Sequence, residues 1–347
     1  MFGNILRQDL EAIANCQLPW RDMYGSTVLI TGATGLIGSL LVKALHWINQ
    51  KYTLHITLIA VIRDSKAAGS ILDGCEVQFL VGDIRNFTSF AGQIDYIVHC
   101  AAVTKSKELV TFPVENIQTA VYGTDNILQL AKAKQVRSVV FLSSMEVYGT
   151  TDPVLPRVTE KELGYMDITN PRSCYGESKR LCECLCSCYA AEYSVPVKMA
   201  RLAQTFGAGV SRQDNRVFAQ FARSVVEGQD IVLHTDGSST GNYCYTADAV
   251  AGILLLLLKG QNGEIYNIAN EASHMTVRQM ADLVAEKVAH NAIRVVSDIP
   301  ASSLTYGYAP KVHMKLCSKK IRELGWKPAY GMEDMYLRMI GSFKQDQ

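Results

Sequence analysis

The stretch that most restricts the fold of this chain is residues 28–38, with the sequence VLITGATGLIG. A short apolar run leads into three glycines, Gly32, Gly35 and Gly38, and an amphipathic segment follows from Leu40. This order predicts a strand, a tight turn and a helix. Glycines at this spacing let backbone N–H groups approach a pyrophosphate at the helix N-terminus. The stretch therefore predicts a dinucleotide site, with a plain structural turn as the alternative.

Strand and helix patterns alternate along the rest of the chain. After the strand that enters the glycine turn, we predict strands at residues 54–62, 77–81, 96–102, 138–143, 195–202 and 265–268. We predict helices at residues 9–14, 114–134, 174–192, 249–258, 276–290 and 316–326. Strands that alternate with helices imply a parallel sheet covered on both faces. The predicted fold class is α/β, a Rossmann-type doubly wound parallel sheet with a smaller C-terminal substrate-binding lobe.

The texture of the sequence suggests three regions. Residues 1–25 form an N-terminal lead-in to which we assign no chemistry. Residues 26–203 are mainly the Rossmann cofactor-binding domain. Residues 204–347 mix short segments with long loops and are mainly the substrate-binding lobe, with room for strands that return to the sheet. We expect this lobe to lie over the carboxyl edge of the sheet, where α/β proteins bind ligands.

Composition excludes several classes of protein. The 347 residues are 48% hydrophobic and 19% charged with a net charge of +1, which is typical of a globular chain and gives no basic excess for nucleic acid. The longest apolar run, within residues 249–258, is too short to span a bilayer. The N-terminus has no signal pattern, so we expect a cytoplasmic protein without a membrane partner. Four of the ten cysteines alternate at residues 182–188, and such residues point to opposite sides of a helix, so we predict no metal site.

Residues that could take part in catalysis or binding lie at the strand ends on one edge of the predicted sheet. They are residues 32–38, Arg63, Asp83, Ile84, Ala101, Ala102, Ser143, Ser144, Met145 and Glu146. Beyond them, Tyr175 and Lys179 are four residues apart and share one face of a helix. An ammonium beside a phenol favours the phenolate and lowers the pKa of the tyrosine. Such a tyrosine can take a proton from a sugar hydroxyl while hydride leaves the same carbon for a nicotinamide cofactor.

These motifs together resemble the extended short-chain dehydrogenase/reductases of the nucleotide-sugar epimerase/dehydratase family. The resemblance covers residues 27–326. It depends on TGATGLIG at 31–38, GDI at 82–84, HCAA at 99–102, SSMEVYG at 143–149, YGESK at 175–179 and LGWKP at 324–328. The family implies a Rossmann domain, a small lobe that holds a nucleoside diphosphate sugar, and a homodimer formed by the helix with Tyr175 and the helix before it.

The resemblance also implies roles for individual residues. The catalytic set is Ser144, Glu146, Tyr175 and Lys179, in which Tyr175 is the acid/base and Lys179 its partner. The NAD(P)+ site is formed by Gly32, Thr34, Gly35, Leu36, Ile37, Gly38, Arg63, Asp83, Ile84, Ala101, Ala102, Tyr175 and Lys179. The nucleoside diphosphate sugar is contacted by Thr104, Ser144, Gln204, Arg216 and Asn242.

The chain departs from the family pattern at several of these positions. Met145 replaces an aspartate of typical dTDP-glucose dehydratases. Gly241 replaces an arginine that grips phosphate and serves decarboxylation, so that Arg216 or another nearby basic residue would have to compensate. Ala120 replaces the usual asparagine before the Gly-Thr pair at 123–124, and Gln204 stands where many members have an asparagine.

The sequence leaves alternatives open for both the cofactor and the reaction. Arg63 at the end of the second strand suits the 2′-phosphate of NADP, whereas Asp64 could hold the ribose of NAD. Glu146 favours an NAD(P)-dependent 4,6-dehydratase that oxidises sugar C4 and then removes the C5 proton. A 4-epimerase, a UDP-glucuronate-type decarboxylase and an NADPH-dependent ketosugar reductase are the alternatives, and a non-enzymatic cofactor sensor is the most distant one.

Overall fold

The fold is that of a computed structural model of the chain, which describes residues 3–87, 89–299 and 313–345. Its central element is a seven-stranded sheet in which all neighbouring strands are parallel. The spatial order is β10 (Ile265–Ile268), β6 (Val197–Leu202), β5 (Ser138–Ser144), β4 (Tyr96–His99), β1 (Thr27–Thr31), β2 (Thr57–Ile62) and β3 (Gln78–Val81). The chain order reverses between β1 and β4, which is where doubly wound sheets bind ligands. The predicted Rossmann-type sheet is confirmed.

Two strands begin later than the sequence predicts, for local reasons. β2 begins at Thr57 because Thr53 and His55 have left-handed backbone angles, with φ of 50° and 55°. The residues between the preceding helix and β2 therefore form a turn, in which the carbonyl of Leu54 accepts the N–H of Gly25. β6 begins at Val197, directly after Pro196, which has no N–H to donate to a sheet.

Helices cover both faces of the sheet. One face carries α5 (Pro113–Lys134) and α6 (Cys174–Tyr193), which pack against each other. The other carries α1 (Asn4–Ala14), α2 (Leu36–Tyr52) and α8 (Thr246–Lys259). Two shorter helices follow β2 and β4, namely α3 (Ser65–Ile71) and α4 (Ser106–Thr111). Because side chains alternate along a strand, neighbouring residues of β1 enter different apolar clusters on the two faces.

The apolar run that the sequence predicts as a buried helix is the core of α8. Its residues from Ile253 to Leu257 are all buried. α8 has 14 residues. Across the residues described, the structure contains no helix that is both long and apolar enough to cross a membrane.

The four alternating cysteines lie on α6 and divide between its two sides. Cys182 and Cys186 are buried, whereas Cys184 and Cys188 are exposed. This is the arrangement that the helical period predicts for residues two apart. Within the described ranges, no group of three or more His, Cys, Asp or Glu side chains is placed to hold a metal ion.

The N-terminal segment is anchored to the far end of the chain by a buried polar cluster. Asp9 of α1 accepts hydrogen bonds from the Tyr245 hydroxyl at 2.7 Å and from Arg338 at 2.6 Å. Arg338 lies on the last helix, α11 (Met332–Gln345), which the sequence analysis does not predict. Burial raises the pKa of the Asp9 carboxyl, while Tyr245 and Arg338 lower it. Because the partners are more than 200 residues apart, only the folded chain brings this cluster together.

The segments after β6 form a second layer beside the sheet. They are β7 (Gln204–Phe206), α7 (Val217–Glu227), β8 (Ile231–Leu233), β9 (Thr240–Tyr245), β11 (Asn270–Thr276), α9 (Val277–Leu283), β12 (Val295–Ser297) and α10 (Lys319–Glu323). The strands form a three-stranded sheet, β11-β9-β7, and a two-stranded one, β12-β8. Residues 300–312 and 346–347 of the predicted lobe lie outside the described residues. β10 and α8 come from this half of the chain but belong to the central layers.

Two predicted helices differ in extent from those observed. α9 begins with the predicted capping box, in which Thr276 and Gln279 each bond the other's backbone N–H. It continues as a π-helical turn (Val284–Val288) and ends before His290, whose φ is 51°. The helix predicted at residues 316–326 is reduced to α10, because Leu316 pairs with Val158 and is not helical.

Candidate active site

The glycine turn has the geometry that a phosphate-binding loop needs. Gly32 has a φ of +63°, and a Cβ there would lie 2.8 Å from the Ala101 nitrogen. A Cβ on Gly38 would lie 2.2 Å from the Gly32 carbonyl oxygen, so this glycine lets α2 pack closely on the turn. At both positions a side chain would therefore clash with the protein's own backbone, whether or not a ligand is bound.

Gly35 lies at the start of α2 and has a different role. It is exposed, and a Cβ there would meet only the Gly32 carbonyl, at 3.3 Å. α2 has neither a side-chain cap nor an acidic residue in its first turn, so its first N–H groups are available to an anion. Thr34 is exposed, and Leu36 and Ile37 are half-buried beside it. The residues of this turn fit a dinucleotide pyrophosphate.

Charged residues at the ends of β2 and β3 form the next part of the edge. Arg63 is exposed, whereas Asp64 caps α3 by accepting the N–H groups of Lys66 and Ala67 through Oδ1, at 2.9 and 3.1 Å. Asp83 is paired with Arg85, with 2.6 Å between Oδ2 and Nη2. The Arg85 hydrogen bond is the main cause that lowers the pKa of the Asp83 carboxyl, and the charge of Arg63 adds to it.

The exit of β4 is held in place by a buried histidine. His99 Nδ1 lies 2.7 Å from the hydroxyl of Thr31, and that hydroxyl accepts the N–H of Ala101 at 3.1 Å. Burial lowers the pKa of His99 to about 3, so this ring is neutral. Ala101 and Ala102 are half-buried and follow it directly. The histidine thus positions the backbone that lies against Gly32.

Ile84 is placed mainly as a packing residue. Its side chain is 7% exposed and fills the space opposite Gly123 of α5, where an added Cβ would lie 2.9 Å from Ile84 Cγ2. Its carbonyl accepts a hydrogen bond from Asn126 at 3.0 Å. The side chain therefore faces α5.

The residues predicted to act on the sugar come together where β5 ends and α6 begins. Ser144 is the last residue of β5, and its Oγ accepts the N–H of Glu146 at 3.2 Å. Tyr175 and Lys179 lie on the first turns of α6. The Ser144 hydroxyl is near enough to the Tyr175 phenol to lower its pKa. The structure thus brings the four predicted residues to one end of the sheet.

The electrostatics of Tyr175 differ from the sequence-based expectation. Burial, together with the charge of Glu146, raises the pKa of Tyr175 to about 12. Ser144, Arg172 and Arg216 lower the pKa of this phenol. Lys179 instead donates to the Leu142 carbonyl at 2.6 Å, and its Nζ lies 6.0 Å from the centre of the Tyr175 ring. The expectation that Lys179 lowers the pKa of Tyr175 is therefore not met by the protein's own groups.

One residue at this site escapes the sequence analysis. Arg172 forms a two-fold ion pair with Glu146, with Nη1–Oε2 at 2.9 Å and Nη2–Oε1 at 3.1 Å. It lies on a 3-10 turn (Pro171–Ser173) that leads directly into α6. The only sequence signal for it was its position three residues before Tyr175.

A second missed feature is a buried ion pair behind the site. Arg201 of β6 bonds both oxygens of Glu183, at 2.9 and 2.6 Å, and the Ser143 hydroxyl donates to the same carboxylate at 2.5 Å. Both charged residues are almost fully buried. The guanidinium also covers the ring of Tyr148 at 4.7 Å. An arginine inside an apolar strand was the available signal, since a buried charge requires a partner.

The predicted sugar-contacting residues separate into two groups. Thr104, Gln204 and Arg216 are exposed. The Arg216 guanidinium is paired with Asp214 at 2.5 Å, and its charge also lowers the pKa of the Tyr175 phenol. Asn242 is fully buried in β9, where its amide donates to the Asn270 carbonyl and its oxygen accepts the N–H of Leu316. Asn242, which the sequence predicts to contact the sugar, thus has both ends of its side chain in hydrogen bonds inside the protein.

Comparisons with known proteins agree with this fold. The model of the NAD dependent epimerase/dehydratase family matches residues 28–269. UDP-glucuronic acid decarboxylase 6 of Arabidopsis thaliana is 29% identical over 308 residues, which are 87% of this chain and 84% of the relative. The dTDP-D-glucose 4,6-dehydratase of Homo sapiens is 26% identical over 336 residues, 93% of this chain and 91% of the relative.

A solved structure shows the same fold along nearly the whole chain. The dTDP-glucose 4,6-dehydratase of Streptomyces venezuelae, solved with NAD bound, superposes with a TM-score of 0.75 at 24% identity, over 92% of this chain and 97% of that one. The resemblance that the motifs suggested is confirmed. The chain belongs to the NAD-dependent epimerase/dehydratase family.

Proposed function

We propose that the protein oxidises C4 of a nucleoside diphosphate sugar and then removes water across C5 and C6, as a 4,6-dehydratase does. The observation that carries this proposal is the grouping of Ser144, Tyr175 and Glu146 at one end of β5 and α6. The first two are near enough for Ser144 to lower the pKa of Tyr175, and the third supplies a carboxylate whose charge also acts on that phenol. Oxidation at C4 requires Ser144 and Tyr175, whereas removal of the C5 proton requires a further base.

The proposed reaction divides the proton transfers among these residues. A nicotinamide cofactor held by the glycine turn at the start of α2 would supply a hydride acceptor for C4 and the hydride that C6 receives later. Ser144 holds O4 while Tyr175 accepts its proton, so that C4 becomes a ketone. The ketone acidifies the C5 proton, which Glu146 removes, and the electron pair forms a C5–C6 double bond as the C6–O bond breaks. Because Met145 cannot donate a proton, Glu146 also gives its proton to the departing hydroxyl, and C5 later receives one from solvent.

Decarboxylation is the second candidate, because the decarboxylase of Arabidopsis thaliana shares 29% identity over most of its length. It would use the same C4 oxidation and then release the C6 carboxyl of a glucuronate as carbon dioxide. Gly241 counts against it, since the family arginine is missing from β9. A Cβ at Gly241 would have no neighbour within 4 Å, so an arginine would fit there but is absent.

The test is to incubate the protein with a panel of nucleotide sugars in deuterated water and to weigh the products. We expect a product lighter by one water, with deuterium at C5 and no net consumption of cofactor. A product of unchanged mass with an untouched C5 proton would indicate a 4-epimerase instead. Loss of carbon dioxide would indicate a decarboxylase, and stoichiometric consumption of cofactor would indicate a reductase.

We propose that the protein prefers NADP to NAD, in a family whose description names NAD. Arg63 is exposed at the end of β2, while one oxygen of Asp64 is engaged in capping α3. Arg63→Ala should lower the affinity for NADP by about 10- to 100-fold, the value of a charge-assisted hydrogen bond, and affect NAD much less. Titration calorimetry with both cofactors measures this, with Arg137→Ala at the opposite sheet edge as the control. Equal losses, or a wild-type preference for NAD, would contradict the assignment.

We further propose that the protein is a homodimer that uses the face of α4, α5 and α6. This face exposes large apolar side chains, namely Val110, Phe112, Val114, Ile117, Tyr122 and Leu181. An exposed apolar area of this kind marks an interaction site. Sedimentation analysis at micromolar concentration tests the proposal, and a monomer at all concentrations would refute it.

A further inference from the structure

The ion pair between Arg172 and Glu146 is held firmly at both ends. The N–H of Arg172 donates to the Asn170 side chain at 3.0 Å, which fixes the start of its turn. The N–H of Glu146 donates to Ser144 at 3.2 Å. The two side chains then meet through two parallel bonds, which define the orientation of the carboxylate as well as its position.

This pair also connects the two segments that carry the proposed chemistry. Glu146 follows the strand end with Ser144, and Arg172 precedes Tyr175 by three residues. The segments are in direct contact, since a Cβ on Gly176 would lie 3.0 Å from the Glu146 carbonyl oxygen. A change in the ion pair would therefore reach both the phenol and the carboxylate.

The charges that face Tyr175 come from every element around it. Glu146 of the 3-10 turn after β5 opposes ionisation of the phenol, whereas Arg172 and Arg216 favour it. Lys179 of α6 is also close, but its ammonium is bonded to the Leu142 carbonyl. Without Arg172, the carboxylate of Glu146 would lose its paired positive charge, and Arg216, which is itself paired with Asp214, would remain to offset it at the phenol.

We propose that Arg172 is a positioning residue of the reaction, which orients the Glu146 carboxylate and offsets its charge at Tyr175. This inference rests on the proposed function. Arg172 would allow one site to meet two requirements. A base for C5 must be near the sugar, yet its negative charge must not prevent Tyr175 from accepting the proton of O4.

The test measures hydride transfer and C5 exchange separately in variants of the full chain loaded with cofactor. Arg172→Gln should shift the pH profile of single-turnover cofactor reduction to higher pH, because the proton acceptor ionises less readily. At neutral pH the rate should fall about tenfold for each unit of that shift. Solvent deuterium should also enter C5 more slowly.

Two further variants distinguish this role from a structural one. Arg172→Lys keeps the charge but not the fork, so it should restore the pH profile while C5 exchange stays slow. The double variant Arg172→Gln/Glu146→Gln removes both charges, so its pH profile for cofactor reduction should return to that of wild type. Arg278→Gln, which breaks an ion pair of similar length with Asp282 on α9, is the matched control and should change nothing.

The inference is overturned if Arg172→Gln leaves the pH profile unmoved, or if the double variant keeps the shifted profile of the single one. An equal shift in Arg278→Gln would also overturn it. Failure of the proposed function looks different, since Glu146→Gln alone would then retain C5 exchange or the wild type would show none. The pH profiles of cofactor reduction report on Arg172 in either case.

Discussion

Replacing Tyr175 with phenylalanine should reduce hydride transfer by about 10²- to 10⁴-fold, the usual contribution of a positioned acid or base. The variant loses the phenolic hydroxyl near Ser144 but keeps the ring, so the binding of cofactor and nucleotide sugar should remain close to that of wild type. Single-turnover reduction of the cofactor measures the first effect, and titration calorimetry measures the second.

The control for this variant is Tyr165→Phe, because Tyr165 is 72% exposed and lies outside the site. It should have wild-type rates. If Tyr175→Phe transfers hydride as fast as this control, another group must take the proton from O4. If it loses substrate binding in proportion to its rate, the residue contributes mainly to binding and not to proton transfer.

Gly35→Val should abolish cofactor binding while the protein stays folded. We choose Gly35 because a Cβ at Gly32 would collide with the backbone of Ala101 and a Cβ at Gly38 with the Gly32 carbonyl. At Gly35 an added Cβ meets only the Gly32 carbonyl at 3.3 Å, which a shift of a few tenths of an ångström relieves. The valine methyl groups would instead occupy the space in front of the α2 N-terminus, where the pyrophosphate approaches.

Cofactor content after purification and thermal unfolding together measure this result. Gly69→Val on α3 is the matched control, since an added Cβ there has no neighbour within 4 Å. Gly69→Val should unfold near the temperature of the cofactor-bound wild type and Gly35→Val near that of wild type stripped of cofactor, and only Gly35→Val should be free of cofactor after purification. A Gly35→Val protein that binds cofactor as tightly as wild type would mean that the phosphate loop lies elsewhere.

The sequence alone was sufficient for the central sheet and the glycine turn, because both depend on local patterns. A buried parallel strand needs a short apolar run, and a close approach of backbone to backbone needs glycine. The local sequence of residues 28–38 is therefore enough to predict their structure. The helical period likewise predicts that Tyr175 and Lys179 share a face of α6.

The sequence was least informative where a side chain meets a partner distant in sequence. Asn242 resembles a polar ligand of the sugar in the sequence, yet Asn270 and the N–H of Leu316 occupy both ends of its amide. The start of β2 depended on the left-handed angles of Thr53 and His55, which no apolar pattern encodes. Such partners are chosen by the packing of the whole chain.

For this protein, the sequence by itself determined the family, the doubly wound sheet and the types of residue at its carboxyl edge. Tertiary structure alone decided that Arg172 holds Glu146 across 26 residues of chain, and that burial raises the pKa of Tyr175 to about 12 where the Tyr-Lys spacing predicts a lower value. The physical reason is that charges and desolvation act through space. The charge state of a site therefore follows from which groups the fold places within a few ångströms of one another.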